Sequence, residues 1–202
     1  MKTITATELN NILAEHKLWL DDKGGKRAKL EGANLYGANL YGANLYGADL
    51  YMANLEGSCL EGANLTCANL VRANLEGASL YGANLYYANL ENANLRDANL
   101  ENANLEGAYF AYANLERANL VVANLNRANF RDANLRDADL YMANLEGASL
   151  RYANLKGANL EGAYLAGTIL EKKVEKQPEV PCKVENVRAL VKFLISLLKS
   201  MA

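Results

Sequence analysis

From Ala28 to Leu170 one five-residue phrase repeats without a break: alanine, most often asparagine, leucine, then two variable residues. Ala28-Lys29-Leu30 opens the first unit and Thr168-Ile169-Leu170 closes the last, so 29 units follow in one register with no insertion. A period of five excludes the ordinary elements. A helix face recurs every 3.6 residues and a strand face every 2, so an apolar residue at each fifth position would wander round a helix and change faces along a strand. The chain must therefore turn once per unit, with every leucine and the alanine two residues before it facing one interior. Such a chain is a coil, and a repeat of this kind has to be recognised before any other element is assigned.

Composition within the register supports two buried positions. The leucine position departs only at Phe110 and Phe130, and the alanine position only at Ser58 and Thr168. A narrow interior filled by one large and one tiny side chain per unit explains this, because added volume strains the packing and lost volume leaves a cavity. Asparagine, which tolerates turn conformations and bonds its own backbone, dominates between the two, and glycine recurs at the last position.

The runs Gly37-Ala38-Asn39-Leu40-Tyr41 and Asp97-Ala98-Asn99-Leu100-Glu101, with their neighbours throughout, resemble the pentapeptide-repeat proteins. That resemblance implies an all-β solenoid: a right-handed, four-sided β-helix with four units to the coil. Residues 20 apart would then be stacked, and Phe110 and Phe130 are 20 apart. The same stacking lines up Glu76, Arg96, Glu116 and Arg136 as an alternating charge column, although exposed pairs contribute only about 0 to 1 kcal/mol each.

Residues 1–27 are expected to form an N-terminal helical cap. Thr5-Ala6-Thr7-Glu8 reads as a capping box, Leu9, Ile12, Leu13, His16 and Leu20 share a face at helical spacing, and Gly24-Gly25 is a stop. A helix laid over the first coil, with Trp19, would cover its apolar end and its unpaired strand edges. Openings of the form His-x-x-Trp-Leu followed by Gly-Gly are similar to those that precede the repeats in bacterial relatives. His16 is the sole histidine, and its alternatives are a structural role or a pH switch. The polar residues among the first 20, Glu8 and Glu15 included, do not read as a signal peptide, and a cytoplasmic location is expected.

Little in the chain points to chemistry. Cys59, Cys67 and Cys182 make an odd count with no Cys-x-x-Cys spacing, so neither a disulfide framework nor a zinc site is indicated. No Ser-His-Asp set, paired carboxylate pocket or phosphate-binding glycine loop emerges, and a filled solenoid offers no cleft. The expectation is a non-catalytic scaffold or interaction module with an unknown protein partner, without cofactor or metal. The coil is mildly acidic, which argues against direct nucleic-acid binding.

The surface is written by the last two residues of each unit. Tyr36, Tyr41, Tyr46 and Tyr51 fall in four consecutive units and would form a belt, one to each side. They are a candidate partner surface, or they are there because tyrosine suits strands and stacks between coils. Farther along, Arg127, Arg131, Arg136, Arg151 and Lys156 are interleaved with Asp132, Asp137, Asp139 and Glu146 as a mixed, solvated face. After Leu170 the register stops. Residues 171–186, with Pro178 and Pro181, read as a linker, and 187–202 as an amphipathic helix. Phe193, Leu194, Leu197 and Leu198 mark its apolar face, which would cap the last coil or pair two chains as a homodimer, with a membrane-surface helix ranking last.

The alternative function comes from the resemblance. Some members of the family, the quinolone-resistance proteins, are thought to imitate DNA and occupy DNA gyrase as acidic rods paired through C-terminal helices. Residues 31–170 hold 15 acidic and 8 basic side chains, a net of minus 7, or minus 14 for a pair. Seven coils at about 4.8 Å give a rod of roughly 34 Å, and duplex DNA as long as two such rods carries about 40 phosphate charges. The charge falls short about threefold, and the coil lacks the loop insertions of several gyrase protectors.

Overall fold

A computed structural model describes residues 2–170. The coil is built from corners. In each unit the leucine carbonyl accepts the N–H of the alanine three residues on, as in Ala33 to Leu30 at 3.0 Å and Ala93 to Leu90 at 3.0 Å. The second variable residue, between them, has positive φ. An i to i+3 bond with a left-handed third residue is the pattern of a type II turn. Thirteen of these positions are glycine and fifteen are not, so the turn is imposed by the fold even where a side chain resists it.

Between corners the backbone runs straight for long enough to pair with the coils on either side. Asn34 bridges Asn54 in parallel, Asn54 bridges Asn74, and the 20-residue offset holds on all four sides up to Ser149 and Ile169. Around Asn54, for example, Asn54 N–H donates to Ala33 at 2.8 Å and Leu55 N–H to Asn74 at 2.6 Å, while Gly57 N–H donates to Glu76 at 2.9 Å. Four units therefore close one coil, as the resemblance implied. The sides are numbered here by their leucine columns: Leu30, Leu35, Leu40 and Leu45 begin sides one to four.

Leucine and alanine fill the interior. From Leu45 to Leu145 every leucine-position side chain is fully buried. Phe110 and Phe130 stack with ring centroids 4.8 Å apart and planes 5° from parallel, which places the two exceptions to the leucine column against each other. Burying a large apolar side chain is worth roughly 1.5 to 3 kcal/mol, and this column supplies one such residue for every five. Ser58, in an alanine place, satisfies its hydroxyl by donating to the Leu55 carbonyl at 2.7 Å.

The asparagines do two tasks at once. On side two, Asn54 Nδ2 donates to Asn34 Oδ1, and the relay continues through Asn74, Asn94, Asn114, Asn134 and Asn154 at 2.9 to 3.2 Å. Each Oδ1 also accepts the backbone N–H two residues on, as in Glu76 to Asn74 and Arg96 to Asn94, both 3.3 Å. The second bond sets the corner and the first ties coil to coil. Aspartate can accept in this ladder but not donate. Asp49 and Asp139 accordingly take a bond from Asn69 and Asn159, each at 2.9 Å.

The N-terminal segment meets the first coil in two ways. Helix α1, Ala6–Leu20, begins at a capping box in which Thr5 and Glu8 satisfy each other's backbone N–H groups. Its inner face buries Leu9 and His16 and packs Ile12 and Leu13 against the core. Ahead of it, strand β1, Lys2–Thr3, pairs in parallel with β2, Ala33–Asn34, on side two. Lys26 N–H then donates to the Glu15 carbonyl at 3.1 Å, bringing the chain back along the helix. A side chain at Gly25, where φ is +76°, would run into that carbonyl and the Leu18 Cβ. Trp19 is 37% exposed and stacks on the buried His16, with ring centroids 5.4 Å apart. The expected linker and C-terminal helix lie outside the described residues.

Candidate interaction surface

His16 is a structural residue in this geometry. It is wholly buried, and its Nδ1 accepts the Ala28 N–H at 3.1 Å, which joins α1 to the first repeat unit. That bond assigns the proton to Nε2, which has no hydrogen-bond partner of its own. Burial holds the imidazole pKa below its ordinary value; the main chain at Tyr46 opposes this, and Arg27 adds a smaller lowering. Two cavities flank the helix. One of about 550 Å³ is lined by Asn11, Ile12, Glu15, Lys26, Arg27 and Lys29, and one of about 360 Å³ by residues including Leu13, Lys17, Leu20 and Gly42. His16 lines neither, and among the described residues no group of three His, Cys, Asp or Glu is placed to hold a metal ion. Cys59 is half-buried and Cys67 exposed, both as free thiols.

The tyrosine belt is distributed, not convergent. Tyr36 and Tyr41 are 67% and 71% exposed, Tyr46 less so at 43%, and Tyr51 is half-buried. Each starts a different corner, with its N–H held by the preceding Asn or Asp side chain at 3.1 to 3.3 Å. Directly along the rod from them stand Glu56, Glu61, Thr66 and Val71, so the four rings have no tyrosine beneath them in the next coil. The four remain a candidate surface one ring deep. Phe193, Leu194, Leu197 and Leu198, the candidate dimer face, lie outside the described residues.

Charge pairing differs from the column expected. Glu76 accepts from Asn94 at 3.0 Å, and Arg96 turns to its neighbour Asp97 at 3.6 Å. The cross-coil ion pair stands one residue later: Arg117 grips Asp97 with two bonds, 2.7 and 2.6 Å, and also meets Glu116 at 3.6 Å. The guanidinium lowers the Asp97 pKa, and Asp97 raises that of Arg117. The signal missed was that the left-handed corner residues, offset by 20, form their own column. Among the described residues no helix is long and apolar enough to cross a membrane.

Comparison with known proteins decides the family. The sequence profile described as pentapeptide repeats matches in eight copies, within segments that together run from residue 26 to 172. The chain belongs to the pentapeptide-repeat family. Its members fold as right-handed quadrilateral β-helices and are generally structural or interaction proteins. Among solved structures, QnrB1, a plasmid-mediated fluoroquinolone resistance protein, is similar in fold in a trypsin-treated form. The TM-score is 0.64 at 18% identity, over 70% of this chain and 72% of that one. HetL, a pentapeptide-repeat protein involved in heterocyst differentiation regulation from the cyanobacterium Nostoc sp. strain PCC 7120, is 40% identical. It covers 71% of this chain and 73% of its own, with a TM-score of 0.36. No curated protein matches.

Proposed function

We propose that this pentapeptide-repeat chain is a non-catalytic cytoplasmic scaffold that presents its corner side chains to a protein partner. The observation that carries the reading is the division of labour within each unit. Alanine and leucine are consumed by the core and asparagine by the ladder, which leaves the two corner residues to vary on a rigid frame. A photo-crosslinking residue at Tyr36, Tyr41 or Tyr46 should yield a discrete adduct in the host cell, while a broad substrate screen yields no turnover. Turnover abolished by His16→Gln or by a corner carboxylate substitution, with the fold intact, would overturn the scaffold reading. Pairing of two chains through residues 187–202 belongs to the same proposal.

A second reading, occupation of DNA gyrase, draws on the fold shared with QnrB1. The charge deficit against duplex DNA counts against it. Inhibition of gyrase supercoiling at submicromolar protein would raise it above the scaffold reading, and inactivity at tens of micromolar would remove it.

A further inference from the structure

The cations of the coil are segregated between its sides. From residue 31 to 170 the corners after sides three and four carry Glu61, Glu101, Glu106, Glu146 and Glu161, and Arg127 is their only cation. The other seven basic residues of this span, from Arg72 to Lys156, stand on the corners after sides one and two. There arginines pair with four of the eight corner carboxylates, Asp97, Glu116, Asp132 and Asp137, each within 3.6 Å. Glu61, Glu101 and Glu106 form no ion pair among the described residues.

These glutamates are nonetheless held in place. Ser79 Oγ donates to Glu61 Oε1 at 2.8 Å, and Asn119 Nδ2 donates to Glu101 Oε2 at 3.2 Å. One oxygen is thus fixed by the next coil while the other is left for an incoming donor. Aromatic rings alternate with them. Along the corner after side three the order is Tyr41, Glu61, Tyr81, Glu101, one coil apart, with Tyr81 46% exposed. On the next corner Tyr86 and Tyr87 pack edge to face at 4.5 Å beside Glu106. Exposed rings and oriented, uncompensated carboxylates at a spacing of about 4.8 Å are complementary to guanidinium. Arginine accepts a carboxylate through its fork of N–H donors and lies flat on an aromatic face, which a lysine ammonium does less well.

We propose that the stripe Tyr41, Glu61, Tyr81, Glu101, with Tyr86 and Glu106 beside it, is a docking surface for an arginine-rich segment of a partner protein. This rests on the scaffold reading and names the side and the partner chemistry it uses. The guanidinium groups sit over Tyr81 and Tyr86 and donate to the free oxygens of Glu61, Glu101 and Glu106. On the other two sides arginines stand among the carboxylates and compete with an incoming guanidinium for them, so orientation is set by charge as well as by contact.

The test titrates the full-length chain with a fluorescein-labelled peptide of about ten residues rich in arginine, beside its Lys-for-Arg and Gln-for-Arg counterparts. Salt is kept near ~0.15 M, where a Debye length of about 8 Å removes long-range attraction. The arginine peptide should bind, the lysine peptide several-fold more weakly and the glutamine peptide not at all. Glu61→Gln with Glu101→Gln should weaken binding at least about tenfold, the scale of losing charge-assisted bonds, and Tyr81→Ala about fivefold. Glu56→Gln with Glu76→Gln, the same charge change on side two, should leave affinity within about twofold. Equal losses from the two double variants would reduce the effect to net charge and overturn the site, as would equal binding of the lysine peptide or no binding of the arginine peptide. The substrate screen judges the scaffold reading separately, so failure of the peptide test leaves that reading standing.

Discussion

At the scale of the residue, two positions show what the repeat demands. Val122 is β-branched and holds φ at +58° on a corner where thirteen equivalents are glycine. The left-handed region costs an L-residue roughly 1 to 2 kcal/mol, and the side chain, 49% exposed, recovers only part of this by burial. Val122→Gly should therefore raise the urea midpoint by an amount equivalent to about 0.5 to 1 kcal/mol, once the greater freedom of glycine in the unfolded chain is set against the relieved strain. A midpoint that falls would mean that packing of Val122 against its coil neighbours outweighs the strain. Asn94 is the converse case, a residue with no spare capacity. Its Nδ2 donates to both Asn74 and Glu76 at 3.0 Å, and its Oδ1 accepts from Arg96. Asn94→Asp removes the donor and sets a carboxylate against two acceptor oxygens, so a loss of about 1 to 3 kcal/mol is expected near neutral pH. The deficit relative to the parent should shrink below about pH 4, where an ordinary aspartate gains a proton. Urea titrations of both proteins at about pH 7 and about pH 3.5, either side of that range, measure the difference, and a deficit that persists at low pH would assign the damage to shape and not to charge. The sequence marked asparagine as a turn residue that bonds its own backbone. The second bond, to the coil before it, was not legible, because a ladder exists only once the 20-residue stacking has brought equivalent side chains together.

Among the elements, α1 was readable to its cap and its inner face, since Thr5, Glu8, Leu9, Ile12, Leu13 and His16 carry that pattern in one short window. Strand β1 was not. Two residues, Lys2 and Thr3, have no periodicity to read, and their pairing with Ala33 and Asn34 depends on where the helix returns the chain. The same limit hid the acid and tyrosine stripe: its members were visible one by one, but which corner each shares, and which arginines stand elsewhere, follows from stacking. The tie between α1 and the coil is testable through His16. Its folded pKa is depressed by burial, so the unfolded chain binds the proton more readily than the folded one. Stability should be at its full value above the unfolded pKa near about 6.5 and decline as pH falls below it, because a proton on Nδ1 ends the bond to the Ala28 N–H. His16→Gln should lose stability at about pH 7.5 and flatten the slope below about pH 6.5. Hydrogen exchange at Ala28, followed across that range in both proteins, reports the bond directly. An unchanged slope in the variant would assign the pH dependence to the carboxylates.

For the whole molecule, what meets the last described coil bears on assembly. β1 pairs with the first coil and α1 packs on the core. At the other end, the main-chain N–H groups of Leu155, Leu160 and Leu165 have no acceptor among the described residues, whereas their counterparts one coil earlier, Leu135, Leu140 and Leu145, each donate at 2.8 Å. Leu155 and Leu170 are partly exposed where earlier leucines are sealed. An open edge of strand-like backbone beside an apolar core invites a second chain unless something covers it. Read as a helix, residues 187–202 would carry more apolar surface than one coil end requires, with Phe193, Leu194, Leu197 and Leu198 on one face. Patches of that kind seldom persist on monomers. A twofold pairing would bury the same face from both chains and set two rods end to end. Each large side chain fully buried contributes roughly 1.5 to 3 kcal/mol, so a few per chain offset the cost of association. The full-length protein should therefore scatter light as a dimer at low micromolar concentration. Removing 187–202 should give a monomer of lower solubility, and Phe193→Glu with Leu197→Glu should separate the chains while leaving the coil's circular dichroism intact. A full-length protein that stays monomeric at high micromolar concentration would leave covering of its own last coil as the task of that segment.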